Sequence, residues 1–274
     1  MDIEVTPYTA GAIPLDSMDL AVAAFLVLFA GILSAFFRLG LERKLAIAAL
    51  RTVVQLLLIG YILKWVFAVQ SLTAIFLIIG VMGMVAGRSA LDRSSWIYKG
   101  AYWDAFLTLI FTGLITTLVV TEAVIGVTPW YNPQYLIPLL GMVLGNGLTG
   151  ISLALDEVLN RLYNERDQIE MELAHGATRW EASIGHLRDA VKRGMIPIIN
   201  SMMVVGIVSL PGMMTGQILA GADPLDAVKY QVVVMFMLAS GTALGTMTLV
   251  MLAYVRLFNE RHQLLWSAIQ ENLD

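Results

Sequence analysis

The side chains best suited to binding a metal lie just after a Pro-Gly pair, Pro211-Gly212, in a long apolar stretch. Met213 and Met214 supply two thioethers, and Gln217 supplies an amide one helical turn after Met213, on the same face. Thioethers are soft ligands, so these residues are candidates for transient binding of a metal ion in passage. The alternative is packing, because methionine is a flexible side chain that fills gaps between surfaces that move.

The Pro-Gly pair also predicts an irregular backbone. Proline removes a helical hydrogen bond, so a helix should break or kink at this point. Inside a bilayer, irregular backbone is tolerated only beside protein or a water-filled cavity. We therefore expect this stretch to line a translocation path, with candidates Ser209, Pro211, Gly212, Met213, Met214 and Gln217.

Arg51 falls inside another apolar stretch, about six residues or roughly 9 Å from its end. A charge at the centre of a membrane helix costs about 2.5–3.5 kcal/mol, so Arg51 needs water, a partner or a route to the headgroups. One hypothesis is a gate on the translocation path, with Gln55 one turn away and Asp156 or Glu157 as the ionic partner. The alternative is that Arg51 snorkels to the inner headgroups.

Two further polar groups have both a functional and an ordinary interpretation. Asn146 is a candidate for the translocation path, but it lies among glycines whose spacing is also typical of helix packing. The carboxylates of Glu122, Asp223 and Asp226 could gather a hard cation, although carboxylates in short loops are usually only solvated.

The composition indicates that these residues belong to a membrane protein. Of 274 residues, 58% are hydrophobic and 14% are charged, against about 25% charged in soluble domains. The chain has no Cys, which excludes a disulfide framework, a thiolate metal site, an iron-sulfur cluster and a Cys nucleophile. The basic residues are scattered rather than gathered on one face, so nucleic-acid binding is not supported.

Seven apolar runs approach the length of about 20 residues that a membrane-spanning helix needs. The fold class that we predict is therefore all-α and polytopic, with 1–274 as a single membrane-spanning domain. We place the spans near residues 20–37, 45–63, 72–86, 105–120, 135–155, 196–220 and 230–255.

Basic residues predict the orientation of these spans. All but three of the 17 Lys and Arg residues fall in alternate connections and in the tail at 256–274, and such a basic side is cytoplasmic. Lys64 and Lys229 lie on the other side, and Arg51 lies within a span. The N-terminal arm is acidic at Asp2, Glu4, Asp16 and Asp19, which predicts an outside N-terminus and argues against a signal peptide.

The longest cytoplasmic connection, about 156–194, has a helical apolar pattern, so the fifth span should extend beyond the membrane. Gly176 should end that helix, because Gly is the usual residue after a helix C-cap. Thr178 and Glu181 have the spacing of a capping box, which predicts a second helix from Arg179 to about Arg193. This shape, with Trp180 in the first turn, is typical of a docking element; the alternative is an ordinary long loop.

The run from Glu170 to Thr178 resembles the coupling-helix segment of ATP-binding cassette (ABC) permeases. In those permeases an acidic residue precedes a Gly by six positions, and the following helix docks into the ATPase. The chain departs from the import-type pattern after the Gly, where it reads His-Leu-Arg-Asp at 186–189. The resemblance implies a role in ATPase coupling for Glu170, Glu172, Gly176, Ala177, Thr178, Arg179, Trp180 and Glu181.

Four other runs resemble the FetB-type permease family of bacterial iron exporters, which is similar to plant aluminium-tolerance permeases. They are Ser-Leu-Pro-Gly-Met-Met-Thr-Gly-Gln at 209–217, its continuation at 221–231, the run at 51–63 and Arg-His-Gln-Leu at 261–264. This resemblance implies a bacterial inner-membrane permease that forms a homodimer, binds two copies of a cytosolic ABC ATPase and exports iron. ATP and Mg²⁺ would be bound by the ATPase, and iron would be the substrate.

The chain has no Gly-x-x-x-x-Gly-Lys-[Ser/Thr] motif, so we expect it to bind no cofactor and to take its energy from another subunit. It also has no Gly-x-Ser-x-Gly and no His-Glu-x-x-His, and we therefore expect a transporter subunit rather than an enzyme. The alternatives within this class are a permease for another metal or for a sugar nucleotide. Outside it, the alternative is a seven-helix receptor or a channel independent of ATP.

Overall fold

A computed structural model describes residues 15–69 and 71–272, and these residues are mainly α-helical. The all-α fold class is therefore confirmed. The helices are α1 (Ser17–Phe36), α2 (Glu42–Val69), α3 (Leu72–Leu91), α4 (Ala101–Leu118), α5 (Pro133–Asn164), α6 (Arg166–Ala174), α7 (Arg179–Val204), α8 (Gly212–Leu219) and α9 (Pro224–Leu257).

Short elements complete the described chain. Helix α4 continues into a π-helical segment, Val119–Ile125. Strands β1 (Trp96–Tyr98) and β2 (Ile269–Glu271) pair antiparallel, so that the last described residues join the connection between α3 and α4.

The helices group into two compact units. The smaller unit contains α1, α2 and Gly216–Asp223. Asp16 starts α1 with a capping box, in which its carboxylate accepts hydrogen bonds from the backbone amides of Met18 and Asp19. The larger unit contains Ser71–Thr215 and the chain from Pro224 onward.

Helix α5 lies at the centre of the larger unit, where it packs against α3, α4, α7 and α9. Small residues permit the closest approach: a Cβ added at Gly194 of α7 would lie 2.6 Å from the backbone oxygen of Gly150 in α5. The same Cβ would lie 2.8 Å from the Thr246 methyl of α9. These contacts leave no space for a side chain, so α5 and α7 meet through their backbones and the Thr246 side chain of α9 packs against both.

Six helical segments of the described chain are long and apolar enough to cross a membrane: Met18–Phe36, Glu42–Val69, Leu72–Leu91, Ala101–Ile125, Pro133–Asn164 and Pro224–Leu257. They correspond to six of the seven predicted spans. The predicted orientation stays a prediction, and Asp2 and Glu4, on which it partly depends, lie outside the described residues.

The prediction of a sixth span as one run at 196–220 is wrong in detail. Helix α7 does not end near Arg193 but continues through Pro197 to Val204. An irregular turn at 205–211 follows, and α8 begins at Gly212. The Pro-Gly pair therefore does break the helix, as predicted, but the break extends upstream to Gly206, whose φ of +84° favours glycine.

The predicted extension of the fifth helix beyond its apolar run is confirmed, because α5 continues to Asn164. Its location on the cytoplasmic side stays a prediction. The extension is not one helix up to Gly176, as expected, since a new helix, α6, begins after Glu165. Ile169 is fully buried and anchors this short helix.

A buried carboxylate, that of Asp104, links the start of α4 to the end of α9. Asp104, which is 4% exposed, accepts hydrogen bonds from Arg256 Nη2 at 2.7 Å and from Tyr98 Oη at 2.8 Å. Arg256 closes α9, so this ion pair fixes the end of α9 to the start of α4. Burial and the hydrogen bond to Asp104 raise the pKa of Tyr98, which keeps its hydroxyl protonated as a donor.

The substitution Arg256→Ala should lower the free energy of unfolding by about 1–3 kcal/mol, because it leaves the buried Asp104 carboxylate without its cation and with Tyr98 as its donor. Lys192→Ala is the matched control: it removes an ion pair to Asp189 that is solvent-exposed and should contribute about 1 kcal/mol or less. Thermal melting of the purified protein in detergent measures both changes. Equal melting temperatures for the two variants would contradict a structural role of the buried pair.

Candidate functional site

The predicted capping box at the start of α7 is confirmed. The backbone amide of Glu181 donates to Thr178 Oγ1 at 3.3 Å, and the amide of Thr178 donates to Glu181 Oε2 at 2.8 Å. These bonds from Thr178 lower the pKa of Glu181, so the carboxylate is charged at neutral pH. Gly176 precedes the cap with a φ of +96°, a left-handed conformation that reverses the chain between α6 and α7.

The residues assigned to ATPase coupling lie together on this α6-turn-α7 element. Glu170 is exposed on α6, and Glu172 is half-buried and accepts a hydrogen bond from Gln168. Met171 and Trp180 are 55% and 42% exposed, although both lie outside the membrane-spanning helices. Apolar side chains exposed outside the spans that could cross a membrane are typical of a protein interface.

The tail after α9 packs against this element, which the sequence did not reveal. Arg179 Nη1 donates to the backbone oxygens of Phe258 at 3.4 Å and Asn259 at 3.2 Å. The Trp180 ring packs edge-on against Tyr254, with their centroids 5.6 Å apart. The element and the tail together line a cavity of about 370 Å³, formed by Glu170, Leu173, His262, Gln263, Leu264 and Leu265.

The residues assigned to the translocation path near 205–217 occupy the irregular turn and α8. Ser209 lies in the turn, and its backbone oxygen accepts a hydrogen bond from the amide of Gly206 at 2.9 Å. The backbone oxygen of Pro211 accepts a hydrogen bond from the Thr215 hydroxyl at 3.1 Å. The turn exposes the apolar side chains of Ile207 and Val208, and irregular backbone of this kind is tolerated at membrane depth only beside protein or a water-filled cavity.

Met213 packs against a buried apolar cluster rather than standing alone. The cluster contains Val120, Leu139, Val143, Ile198, Val234, Met235, Met237 and Leu238. Met142, Met195 and Met202 pack against the same cluster. Six methionines therefore meet where α5, α7, α8 and α9 adjoin, which is the adaptable packing expected at a surface that moves.

Harder metal ligands do not gather in the described part of the chain. Among residues 15–69 and 71–272, no group of three or more His, Asp or Glu side chains is close enough to hold a metal ion. The exposed carboxylate of Asp226 forms a salt bridge with Lys229, with Oδ1 2.8 Å from Nζ. The roles of Met213 and Met214 as metal ligands stay predictions.

The remaining path candidates lie on α2 and α5. Arg51 and Gln55 are exposed on α2 of the smaller unit. Asn146 is half-buried on α5 and donates to the backbone oxygen of Met142, one turn earlier, at 3.0 Å. That bond satisfies part of the amide within its own helix, and the role of all three residues in a path stays a prediction.

Both carboxylates considered as partners of Arg51 have partners within the larger unit. Asp156 accepts a hydrogen bond from the Ser95 amide at 2.8 Å. Glu157 forms ion pairs with Arg161 at 2.5 Å and with Arg193 at 3.3 Å. Because Arg193 lies in the middle of α7, Glu157 links the C-terminal part of α5 to that helix.

Sequence reasoning missed the residues that act over long separations. Asp104 lies just before the span predicted at 105–120 and had no assigned role, and Arg256 was only one of the basic residues of the tail. His262 is part of the run at 261–264 that carries the family resemblance, but the run predicted no structural role for this residue. No periodicity signals a contact between segments about 80 or 150 residues apart.

Comparison with known proteins identifies the family. The model of the uncharacterised protein family UPF0014 matches residues 17–258. The chain is 34% identical to an Escherichia coli protein named probable iron export permease protein FetB, over 92% of this chain and 96% of that protein. It is 37% identical to a UPF0014 membrane protein of Synechocystis, over 83% of this chain and 88% of that one.

A plant relative extends the comparison: the chain is 32% identical to the Arabidopsis thaliana protein ALUMINUM SENSITIVE 3, over 89% of this chain and 88% of that protein. No solved structure matches the chain. The relatives and the six long apolar helices together show a multi-pass membrane protein, and the resemblance inferred from the residues is confirmed. The chain belongs to the UPF0014 family.

Proposed function

We propose that this chain is the membrane-spanning permease subunit of an ABC transporter that exports iron from the cytoplasm, driven by a separate ATPase. The observation that carries the proposal is the capped α6-turn-α7 element, which exposes Met171 and Trp180 outside the membrane-spanning helices. The substrate follows from the relative named as a probable iron export permease. The location that we propose is the bacterial inner membrane.

Helix α7 supplies the connection between the proposed docking site and the membrane interior. It is continuous from Arg179 to Val204, so its cytoplasmic start and its membrane end move as one body. Its Gly194 is in backbone contact with Gly150 of α5. Closure of an ATPase bound at Trp180 would therefore shift the irregular turn that follows α7 and repack the methionine-rich cluster beside it.

The exposed helices of the chain support a homodimer as the working form. Among the described residues of α2, only Val66 is buried, and the eight described residues of α8 include none that is buried. An ABC transporter uses two membrane halves and two ATPases, and a second copy of this chain would supply the second half. ATP and Mg²⁺ are assigned to the ATPase, in keeping with the lack of a phosphate-binding motif here.

The experiment that tests the proposal is ATP hydrolysis by the purified chain, reconstituted with the ABC ATPase encoded beside it. We expect iron(II) to stimulate hydrolysis above the rate without metal. Stimulation by another metal alone, or by a sugar nucleotide alone, would contradict iron as the substrate while retaining the transporter class. Failure of the two proteins to associate would contradict the class itself.

The substitution Trp180→Ala should weaken ATPase binding at least about tenfold, as expected for a tryptophan at the centre of an interface. Trp180→Phe is the matched control, because a phenyl ring keeps apolar area and the edge contact with Tyr254. Affinity is measured by titration of the ATPase onto the immobilised permease, with melting temperature as a check on folding. Unchanged affinity in the alanine variant would place the docking site elsewhere.

The double substitution Met213→Leu with Met214→Leu should reduce iron export if the thioethers are transient ligands, because leucine keeps the apolar volume without the sulfur. Met203→Leu is the control, since Met203 is 73% exposed and lies before the irregular turn. Iron efflux from loaded cells measures all three proteins. Normal efflux in the double variant would assign both methionines to packing.

A further inference from the structure

The tail after α9 folds into a defined hairpin, which we name the tail hairpin (residues 258–265). The Leu265 amide donates to the backbone oxygen of Leu257 at 2.7 Å, and the Asn259 amide donates to that of Gln263 at 3.1 Å. Phe258 and Leu264 are buried at its base. The segment is therefore anchored at both ends rather than extended into solvent.

The tip of the tail hairpin is fixed from within. The Asn259 side-chain oxygen accepts hydrogen bonds from the backbone amides of Arg261 and Gln263, each at 3.0 Å. Between them lies His262, with a φ of +58°, a left-handed conformation that is uncommon for residues other than Gly, although Asn, Asp and His adopt it more often than the rest. A strained residue persists only where its surroundings determine it, so this position invites a functional explanation.

His262 accepts a hydrogen bond at the start of α7. The backbone amide of Arg179 donates to His262 Nδ1 at 3.0 Å, across 83 positions of sequence. Arg179 is the first residue of α7, and its amide is among those that a helix leaves without an internal acceptor. Thr178 and Glu181 already satisfy each other's amides, so His262 adds a further acceptor to the cap from a distant segment.

Arg179 contacts the tail hairpin through its side chain as well as through its backbone. While the Arg179 backbone donates to the tip of the hairpin, its guanidinium donates to Phe258 and Asn259 at the hairpin's base. The same guanidinium lies over the Tyr254 ring, 5.6 Å from its centroid. The first residue of α7 is therefore held at both ends of the tail hairpin.

We propose that His262 is the positioning residue that fixes the start of α7 on the tail hairpin, so that both form one surface for the ATPase. This inference rests on the proposed function. It assigns a role to the run at 261–264, which the coupling segment alone leaves unexplained. The surface includes the cavity between Glu170 and Leu265, where α6 and the hairpin adjoin.

Two substitutions distinguish the role of the His262 hydrogen-bond acceptor from that of the residue's positive φ. His262→Gly tolerates a positive φ but has no acceptor, whereas His262→Asn tolerates it and keeps an oxygen close to the position of Nδ1. We expect the Gly variant to bind the ATPase about five- to tenfold more weakly, as for the loss of a helix cap, and the Asn variant to bind within about twofold of the wild type. Titration of the ATPase onto the reconstituted permease measures both.

Hydrogen exchange of the peptide that contains Arg179 supplies a readout independent of the ATPase. Protection should be lost in the Gly variant and kept in the Asn variant. Wild-type affinity in the Gly variant would overturn the proposal, and equal losses in both variants would show that the acceptor is not what matters. If the wild-type chain binds no ATPase, the proposed function fails and the proposal with it, while exchange at Arg179 still reports whether His262 caps α7.

Discussion

The backbone contact between Gly150 and Gly194 is the constraint on which the rest of the larger unit depends. Two helices that touch through glycine have no side chain to yield between them, so α5 and α7 can shift only together or by separating. The methyl group of Thr246 in α9 packs against both glycines. A displacement of α7 at its cytoplasmic start is therefore transmitted to the centre of the larger unit rather than absorbed near the surface.

Some polar groups inside the larger unit are satisfied within their own helices, whereas the buried hydroxyls of Thr108, Thr117 and Thr242 have no hydrogen-bond partner in the described chain. The hydroxyls of Thr112, Thr116 and Thr246 donate to backbone oxygens four residues earlier in their own helices. The buried Asp104 has both Arg256 and Tyr98 as donors. The contrast is the turn at 205–211, where the helix is interrupted and apolar side chains are exposed, so conformational change is expected there rather than in the α5-α7-α9 contact.

The sequence predicted the features that arise from local physics. Thr178 and Glu181 are three residues apart, and Gly176 needs only its own backbone to reverse the chain, so the start of α7 was predictable to the residue. The same reasoning placed the break at Pro211-Gly212 but could not show that it reaches Gly206, because Gly206 is defined by a bond to Ser209 rather than by a helix-breaking proline. The end of α7 was not predicted, because the helix continues past Arg193 and through Pro197 to Val204.

The contacts that assemble the candidate site could not be predicted from the sequence. Asp104 and Arg256 are 152 positions apart, and Arg179 and His262 are 83 apart. Neither pair has a periodic pattern, and each residue alone has an ordinary interpretation as a surface charge or a solvated histidine. Only the three-dimensional structure shows that the tail contacts both the connection between α3 and α4 and the start of α7.

The central claim is that an ATPase docked on the start of α7 and the tail hairpin drives iron across the membrane. The most direct measurement is uptake of radioactive iron(II) into proteoliposomes that hold the permease, with the ATPase and ATP supplied on the outside. The account predicts accumulation in the vesicles whose cytoplasmic face is outward, and only when ATP and both proteins are present. Accumulation without the ATPase, or none with the complete system, would contradict it.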